Sequence, residues 1–166
     1  MTIIHGMKNI IIIYLISLTY LISSPKEKQL VSPTVATELL ETIKTDAIVL
    51  GHGDIEVHTF IDPLCKMSQR YLALLHKHNY EMFSKYTIYL YMYEIKSKKS
   101  KEHILSILSA KSSERMMNTI MLEKGTPSLT YRYSGEIQRT LQRITNVAQK
   151  IGVYKRPYIM INGKVK

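Results

Sequence analysis

An α/β fold is predicted for this chain of 166 residues, and three observations predict it. Strand-like runs at Ile55–Ile61, at 86–93 and at Tyr158–Ile161 alternate with segments whose apolar residues recur at helical spacing. The composition, 45% apolar and 22% charged, is that of a globular chain and excludes disordered, collagenous and low-complexity classes. The length fits one domain of ~100–200 residues, and no internal repeat is visible.

Residues 10–22 form an uncharged, largely apolar core of 13 residues. That is shorter than the ~20 residues that span a bilayer but within the ~7–15 of a secretory signal's apolar region. Met7 offers a natural start, Lys8 a positive charge ahead of the core, and Ser23 and Ser24 the small residues of a cleavage site. Residues 1–24 therefore read as a signal peptide or membrane anchor. This places the protein in the periplasm or another extracytoplasmic space, with membrane contact only through this segment. Residues 25–46 read as a polar, proline-bounded linker and one helix. Val35, Leu39, Leu40 and Ile43 share its face over 34–44, with Thr34 placed to cap it.

Residues 47–50 are a short apolar run closed by the turn signal of Gly51, Gly53 and Asp54. Ile55–Ile61 follows as a strand. Tyr71, Leu72, Leu74 and Leu75 give 67–78 a helical face, and 86–93 is a second strand rich in Tyr and Ile. Two helices come next, 102–111 with Ile104, Leu105, Ile107 and Leu108, and 113–123 with Met116, Met117, Ile120 and Met121. The methionine stripe reads as adaptable core packing. Residues 125–134 read as a loop, and 136–151 as a longer helix carrying Ile137, Leu141, Ile144, Val147, Ala148 and Ile151. Tyr158–Ile161 then enters an Asn162-Gly163 hairpin turn, with a return strand from Lys164.

The net charge of +10 is uneven: residues 1–95 carry 8 basic and 9 acidic side chains, residues 96–166 carry 15 and 4. The densest run is Lys96, Lys98, Lys99 and Lys101. No aromatic or glycine-rich recognition pattern accompanies it, so it reads as a solvated loop before a helix, and no nucleic-acid partner is expected.

A single cysteine excludes an internal disulfide framework and any site built on several thiolates. Cys65 lies just past a strand and at the opening of a helix, with Lys66 and Arg70 close by in sequence. Unpaired amides and the helix dipole at such a position favour a thiolate, the species that attacks a disulfide sulfur. Position alone leaves equally open a small buried hydrophobe. His58 and Met67 flank Cys65 and with it offer soft donors to Cu(I). His58 reads better as a packed or surface side chain, on the same side as Glu56 and Phe60. No metal or cofactor is expected.

Phe60, Asp62, Cys65 and Ser68 stand in the order Phe-x-Asp-x-x-Cys-x-x-Ser. Further on, Gly152, Val153, Pro157, Asn162 and Gly163 stand in the order Gly-Val-x-x-x-Pro-x-x-x-x-Asn-Gly. Together these segments resemble the periplasmic Dsb-type disulfide isomerases of the thioredoxin superfamily, and the likeness runs over about residues 47–166. Its anchors, Cys65 and Pro157, lie 92 residues apart in the family's order. The resemblance implies a thioredoxin-like domain over 47–166 with an inserted helical subdomain at about 101–151. It also implies a cis bond before Pro157, which would lie against Cys65, and a groove where the backbone of Arg156 pairs with an extended substrate. Cys65 and Ser68 would be the catalytic residues, and Lys66, Met67, Arg156 and Pro157 would line the substrate site.

Three departures from that family matter. Ser68 stands where the family has its second cysteine; a hydroxyl can donate a hydrogen bond to the Cys65 sulfur but cannot attack a mixed disulfide. Arg156 replaces the usual small residue before the proline; it would favour a thiolate or sulfenate and acidic partners, or else point to solvent. The family's fold continues past the last strand into a helix, whereas this sequence ends at Lys166. Apolar surface is expected there unless the 34–44 helix covers it. The separate dimerisation domain of the isomerases is absent, so a monomer is expected.

The expectation is an exported monothiol exchange protein, a disulfide isomerase or reductase acting on cysteine-containing exported proteins. Release from the mixed disulfide falls to a partner thiol or to a small one such as glutathione. The alternatives are a non-catalytic thioredoxin-like binding or chaperone module and, third, a copper-handling protein.

Overall fold

The computed structural model describes residues 29–125 and 134–166. The segment read as a signal or anchor, and residues 126–133 of the expected loop, lie outside the described residues.

Helix α1, Pro33–Glu41, is capped by Ser32, whose hydroxyl accepts from Val35 N–H at 3.3 Å. Thr34 was the expected cap. Pro33, with fixed φ and no N–H, suits the first helical position, so the helix starts one residue earlier and Thr34 falls inside it. A single 3-10 turn, Lys44–Asp46, leads into β1, Ile48–Leu50. Strand β2, Ile55–Ile61, helix α2, Lys66–Lys77, and strand β3, Tyr86–Met92, follow closely where the alternation placed them. Between α2 and β3 lies a helix the sequence did not signal, α3, Asn79–Lys85. It buries no residue fully; Met82 and Phe83 rest on the core, too few apolar positions to form a periodic stripe.

Helices α4, Lys101–Ser109, and α5, Ser113–Met121, precede the long α6, Gly135–Ile151. Ser112 and Ser134 cap α5 and α6 through hydroxyls that accept from Arg115 N–H and Ile137 N–H. Helix α6 stops at Gly152, whose φ of +84° lets its N–H reach the carbonyls of Ala148 and Gln149. Strands β4, Tyr158–Ile161, and β5, Lys164–Val165, close the chain around Asn162 and Gly163, both at positive φ.

The five strands run in the order β1-β3-β2-β4-β5, with β2 and β3 parallel and every other neighbour antiparallel. Side chains of β2 and β3 alternate between two apolar clusters. On one face Val57, Ile61, Ile88 and Leu90 pack with Leu72 and Leu75 of α2 and with Ile104, Ile107, Met117, Ile120 and Met121 of α4 and α5. Of the insert expected over about 101–151, α4 and α5 thus lie over this face and share its core, and their buried methionines are packing residues. On the other face Phe60, Tyr91, Tyr158 and Met160 pack with Ala36 and Leu40 of α1 and with Ile144, Val147 and Ile151 of α6.

Helix α1 lies on the second of these faces. It covers the α6 face because its short apolar stripe, Ala36 and Leu40, fits against α6 and the aromatic side of the sheet. Beside α2, the strip of Val57, Tyr71, Met82, Tyr86, Ile88, Ile159 and Ile161 remains an open apolar depression of about 200 Å³.

Candidate functional site

The site is built on the segment joining β2 to α2. Asp62 follows the last residue of β2 and is fully buried. One carboxylate oxygen accepts from Leu64 N–H at 2.8 Å, the side-chain turn that an Asp-Pro pair favours. Its other oxygen accepts from Ile95 N–H and from the Ser100 hydroxyl, each at 2.5 Å. The Asp62 carbonyl accepts from Cys65 N–H at 3.1 Å. One side chain therefore ties the end of β2, the turn that carries Cys65 and the loop before α4.

Cys65 is the residue that opens α2, half-buried, with its carbonyl accepting from Gln69 N–H at 3.0 Å. Its Sγ lies 3.8 Å from the carbonyl oxygen of Arg156, to which the thiol donates. The peptide bond between Arg156 and Pro157 is cis. The two sequence anchors, 92 residues apart, thus meet in space.

Ser68 was expected to donate to that sulfur. Its hydroxyl is fully buried, and its described hydrogen bond accepts Asp62 N–H at 3.2 Å, which braces the turn from below. The second position of the Cys-x-x-Ser pair faces the core because α2 puts residue 68 on its inner side with Leu72 and Leu75. Lys66 and Met67 stand exposed on the rim, Met67 with Arg70 Nη1 at 3.9 Å from its sulfur.

Arg156 does more than sequence reasoning allotted to it. Its guanidinium carbon lies 4.0 Å from the centroid of the Tyr93 ring, and Nη2 donates to the Glu94 carbonyl at 3.0 Å. Nε is buried with no hydrogen-bond partner. Burial pulls the guanidinium below its ordinary range, while Tyr93, Asp62 and Cys65 pull the other way.

Two hollows border the segment. One, about 260 Å³, is lined by Leu64, Gln69, His103, Ile120 and Lys124, and His103 Nδ1 is buried there without a partner. The other, about 250 Å³, lies between the end of β3 and α6 and includes Tyr93, Lys96, Gln149 and Arg156. The solvated basic run of the sequence contributes Lys96 to this second hollow. Neither hollow was legible beforehand, since each draws on residues up to 60 or more positions apart.

His58 belongs elsewhere. It is buried, stacks against Tyr89 with ring centroids 4.9 Å apart, and bonds Tyr91 Oη through Nδ1 at 3.0 Å. Its Nε2 lies 3.7 Å from Glu56, and burial pushes its pKa down. Glu41, Glu56 and His58 are the three donors among the described residues close enough to share an ion, but Lys44 Nζ already bridges the two carboxylates at 3.1 and 2.8 Å. An ammonium fills the cationic place, and the copper reading loses His58 to this cluster.

The fold these elements define is thioredoxin-like, α/β with a mixed five-stranded sheet and a helical insert. No protein-family model and no curated protein matches the chain. Solved structures do. Proteus mirabilis ScsC in a compact conformation superposes with a TM-score of 0.65 at 12% identity, over 96% of this chain and 83% of that one. A putative protein-disulfide isomerase from Pseudomonas syringae gives 0.58 at 19% identity, over 74% of this chain and 90% of its own. The thiol-disulfide exchange protein alpha-DsbA2 from Wolbachia pipientis gives 0.57 at 12% identity, over 80% and 88%.

Proposed function

We propose that this chain is an extracytoplasmic thiol–disulfide exchange protein that works through Cys65 alone. The observation that carries the reading is the thiol of Cys65, held at the opening of α2 and 3.8 Å from the carbonyl that precedes a cis-proline. That carbonyl is the acceptor an extended substrate would use, with its own N–H replacing the Cys65 thiol. The solved structures of like fold include one described as a putative protein-disulfide isomerase and one as a thiol-disulfide exchange protein.

The Cys65 thiolate attacks one sulfur of a substrate disulfide. A new S–S bond joins Cys65 to the substrate, the old one breaks, and the displaced sulfur leaves as a thiolate that takes a proton. With Ser68 in place of a second thiol, release must come from outside. A second substrate cysteine can attack the substrate sulfur, expel Cys65 and form a new pairing, which is isomerisation with no net oxidation. A small thiol such as glutathione can do the same and leave a substrate–glutathione disulfide. Lys66, Met67, Arg156 and Pro157 form the rim against which the substrate segment rests. Asp62 and Ser68 hold the turn still, so that the sulfur is presented at low entropic cost.

The test uses the neutral disulfide 2,2′-dithiodipyridine and then a scrambled disulfide substrate with glutathione. Folded protein should release one pyridinethione at least ~10-fold faster than the urea-unfolded chain. It should also speed reshuffling over glutathione alone, with both effects gone in Cys65→Ser. A folded protein that reacts no faster than the unfolded one, and reshuffles nothing, overturns the reading. Equal binding of an unfolded protein by wild type and Cys65→Ser, without exchange, would then favour the binding or chaperone module.

A further inference from the structure

The hollow beside Arg156 is lined by a guanidinium that no described carboxylate pairs. Arg156 is partly desolvated, and among the described residues no carboxylate lies within ion-pair distance of it. The buried acid nearest in the chain's logic, Asp62, is saturated by Leu64 N–H, Ile95 N–H and Ser100. The Glu94 carboxylate, also on the wall, accepts from Lys101 N–H at 3.1 Å at the start of α4. Desolvating a guanidinium costs free energy that stacking on Tyr93 and one bond to a carbonyl only partly offset. An acceptor arriving from outside would complete the balance.

The surroundings fit such an arrival. Arg156 is stacked and therefore pre-oriented; Nη2 is held by the Glu94 carbonyl and Nε is buried, and Nη1, which has no described hydrogen bond, is left for a carboxylate. Lys96 adds a second cation to the wall, and Thr145 and Gln149 of α6 add neutral polar groups. The volume of about 250 Å³ admits an acidic side chain with its backbone. The same residue whose side chain lines this hollow puts its carbonyl 3.8 Å from Cys65 Sγ. An anion bound here would sit within a residue or two of a sulfur engaged by Cys65.

We propose that this hollow is a carboxylate subsite, which selects thiol and disulfide partners carrying a carboxylate next to the reacting sulfur. The inference rests on the exchange reading of Cys65 and deepens it by naming a substrate class. Two sources share the chemistry: an Asp or Glu flanking cysteine in a peptide, and the carboxylates of glutathione. Arg156 and Lys96 outnumber the Glu94 carboxylate on the wall, so net attraction raises the encounter rate, and the stacked guanidinium fixes the register.

Exchange rates should be compared for the disulfide of acetyl-Asp-Cys-amide and its Asn counterpart, and for glutathione disulfide and its ester. Within a pair that shares the selected source, the anionic form should react about tenfold faster at low salt, and the preference should shrink as salt rises. The ratio should fall towards one in Arg156→Gln and stay intermediate in Arg156→Lys, which keeps the charge but loses the stacked guanidinium. A preference confined to the peptide pair assigns the subsite to protein substrates; one confined to the glutathione pair assigns it to the small thiol. Equal rates within both pairs, with exchange intact, overturn the inference alone. If no disulfide reacts, including dithiodipyridine, the exchange reading has failed. The subsite is then judged on Cys65→Ser by the Arg156 Nε–H resonance. Acetyl-Asp-Cys-amide or S-methylglutathione must shift it and their uncharged counterparts must not; an unmoved signal overturns the subsite too.

Discussion

Strand β2 carries an ionisable cluster at each end, and the two are built on opposite principles. Near its start, Glu41, Lys44, Glu56 and His58 close on one another: the ammonium bridges both carboxylates, and the imidazole is stacked and hydrogen-bonded to Tyr91. Past its end, Asp62 is equally closed, but what it supports is left open. Among the described residues the Cys65 thiol keeps only a long contact to a carbonyl, and Arg156 stays half-buried without a carboxylate. A cluster that satisfies itself stabilises a fold. One that spends a saturated acid to hold an unsatisfied thiol and cation beside a hollow is arranged for a visitor.

The sharpest way to break this contrast is at Asp62. Asp62→Ala strands the part-buried amides of Leu64 and Ile95 and the buried hydroxyl of Ser100. The expected cost is ~2–4 kcal/mol, since a buried unsatisfied donor costs ~1–3 kcal/mol and the two part-buried amides less each. Urea unfolding reads it directly, and a loss below ~1 kcal/mol would show that the turn is not held by this side chain. Ser68→Ala should cost less, because it removes one acceptor from Asp62 N–H. Expect about 1–2 kcal/mol by the same measurement.

At the other end the handle is pH. Burial lowers the His58 pKa, opposed by Glu56 and Glu41, while Lys44 pushes the same way as burial. The folded protein therefore refuses a proton that the unfolded chain accepts below about pH 6.5. Stability is unaffected by this group above that value and falls as pH drops below it, at no more than ~1.4 kcal/mol per pH unit. Glu56, held low by Lys44, adds stability above the ordinary carboxylate range and loses it only at lower pH. Unfolding midpoints between pH 7.5 and 5.5 should fall in wild type and flatten in His58→Gln. An identical slope in both proteins would remove His58 from the account.

What the sequence disclosed divides along the same line. Periodicity found β2, β3, β4 and the buried faces of α2, α5 and α6, because those elements bury regular stripes such as Leu72 and Leu75, or Ile144, Val147 and Ile151. It missed α3, which buries nothing fully, and misplaced the cap of α1, where Pro33 decides the start. It placed Cys65 at a helix opening and Arg156 before Pro157, but gave Ser68 a bond to sulfur. That bond depends on which side of α2 faces the core, a matter of tertiary packing. The closed state of Asp62 depends on Ser100, 38 residues away, and no local pattern announces such a pairing.

The smallest expected effect separates the two ends most cleanly. Lys44 is partly exposed and pairs with two carboxylates that are more exposed still. Such pairs contribute ~0.2–1 kcal/mol, screened by salt. Lys44→Gln should therefore lower stability by no more than about 1 kcal/mol in low salt, and by less in 0.5 M salt, where the pairs are already weakened. It touches neither Cys65 nor the hollow beside Arg156, so its rate of exchange with dithiodipyridine should equal that of wild type at either ionic strength. If that rate fell with Lys44→Gln, the charges at the two ends of β2 would be coupled through the strand. The self-contained cluster would then be part of the site rather than its counterweight.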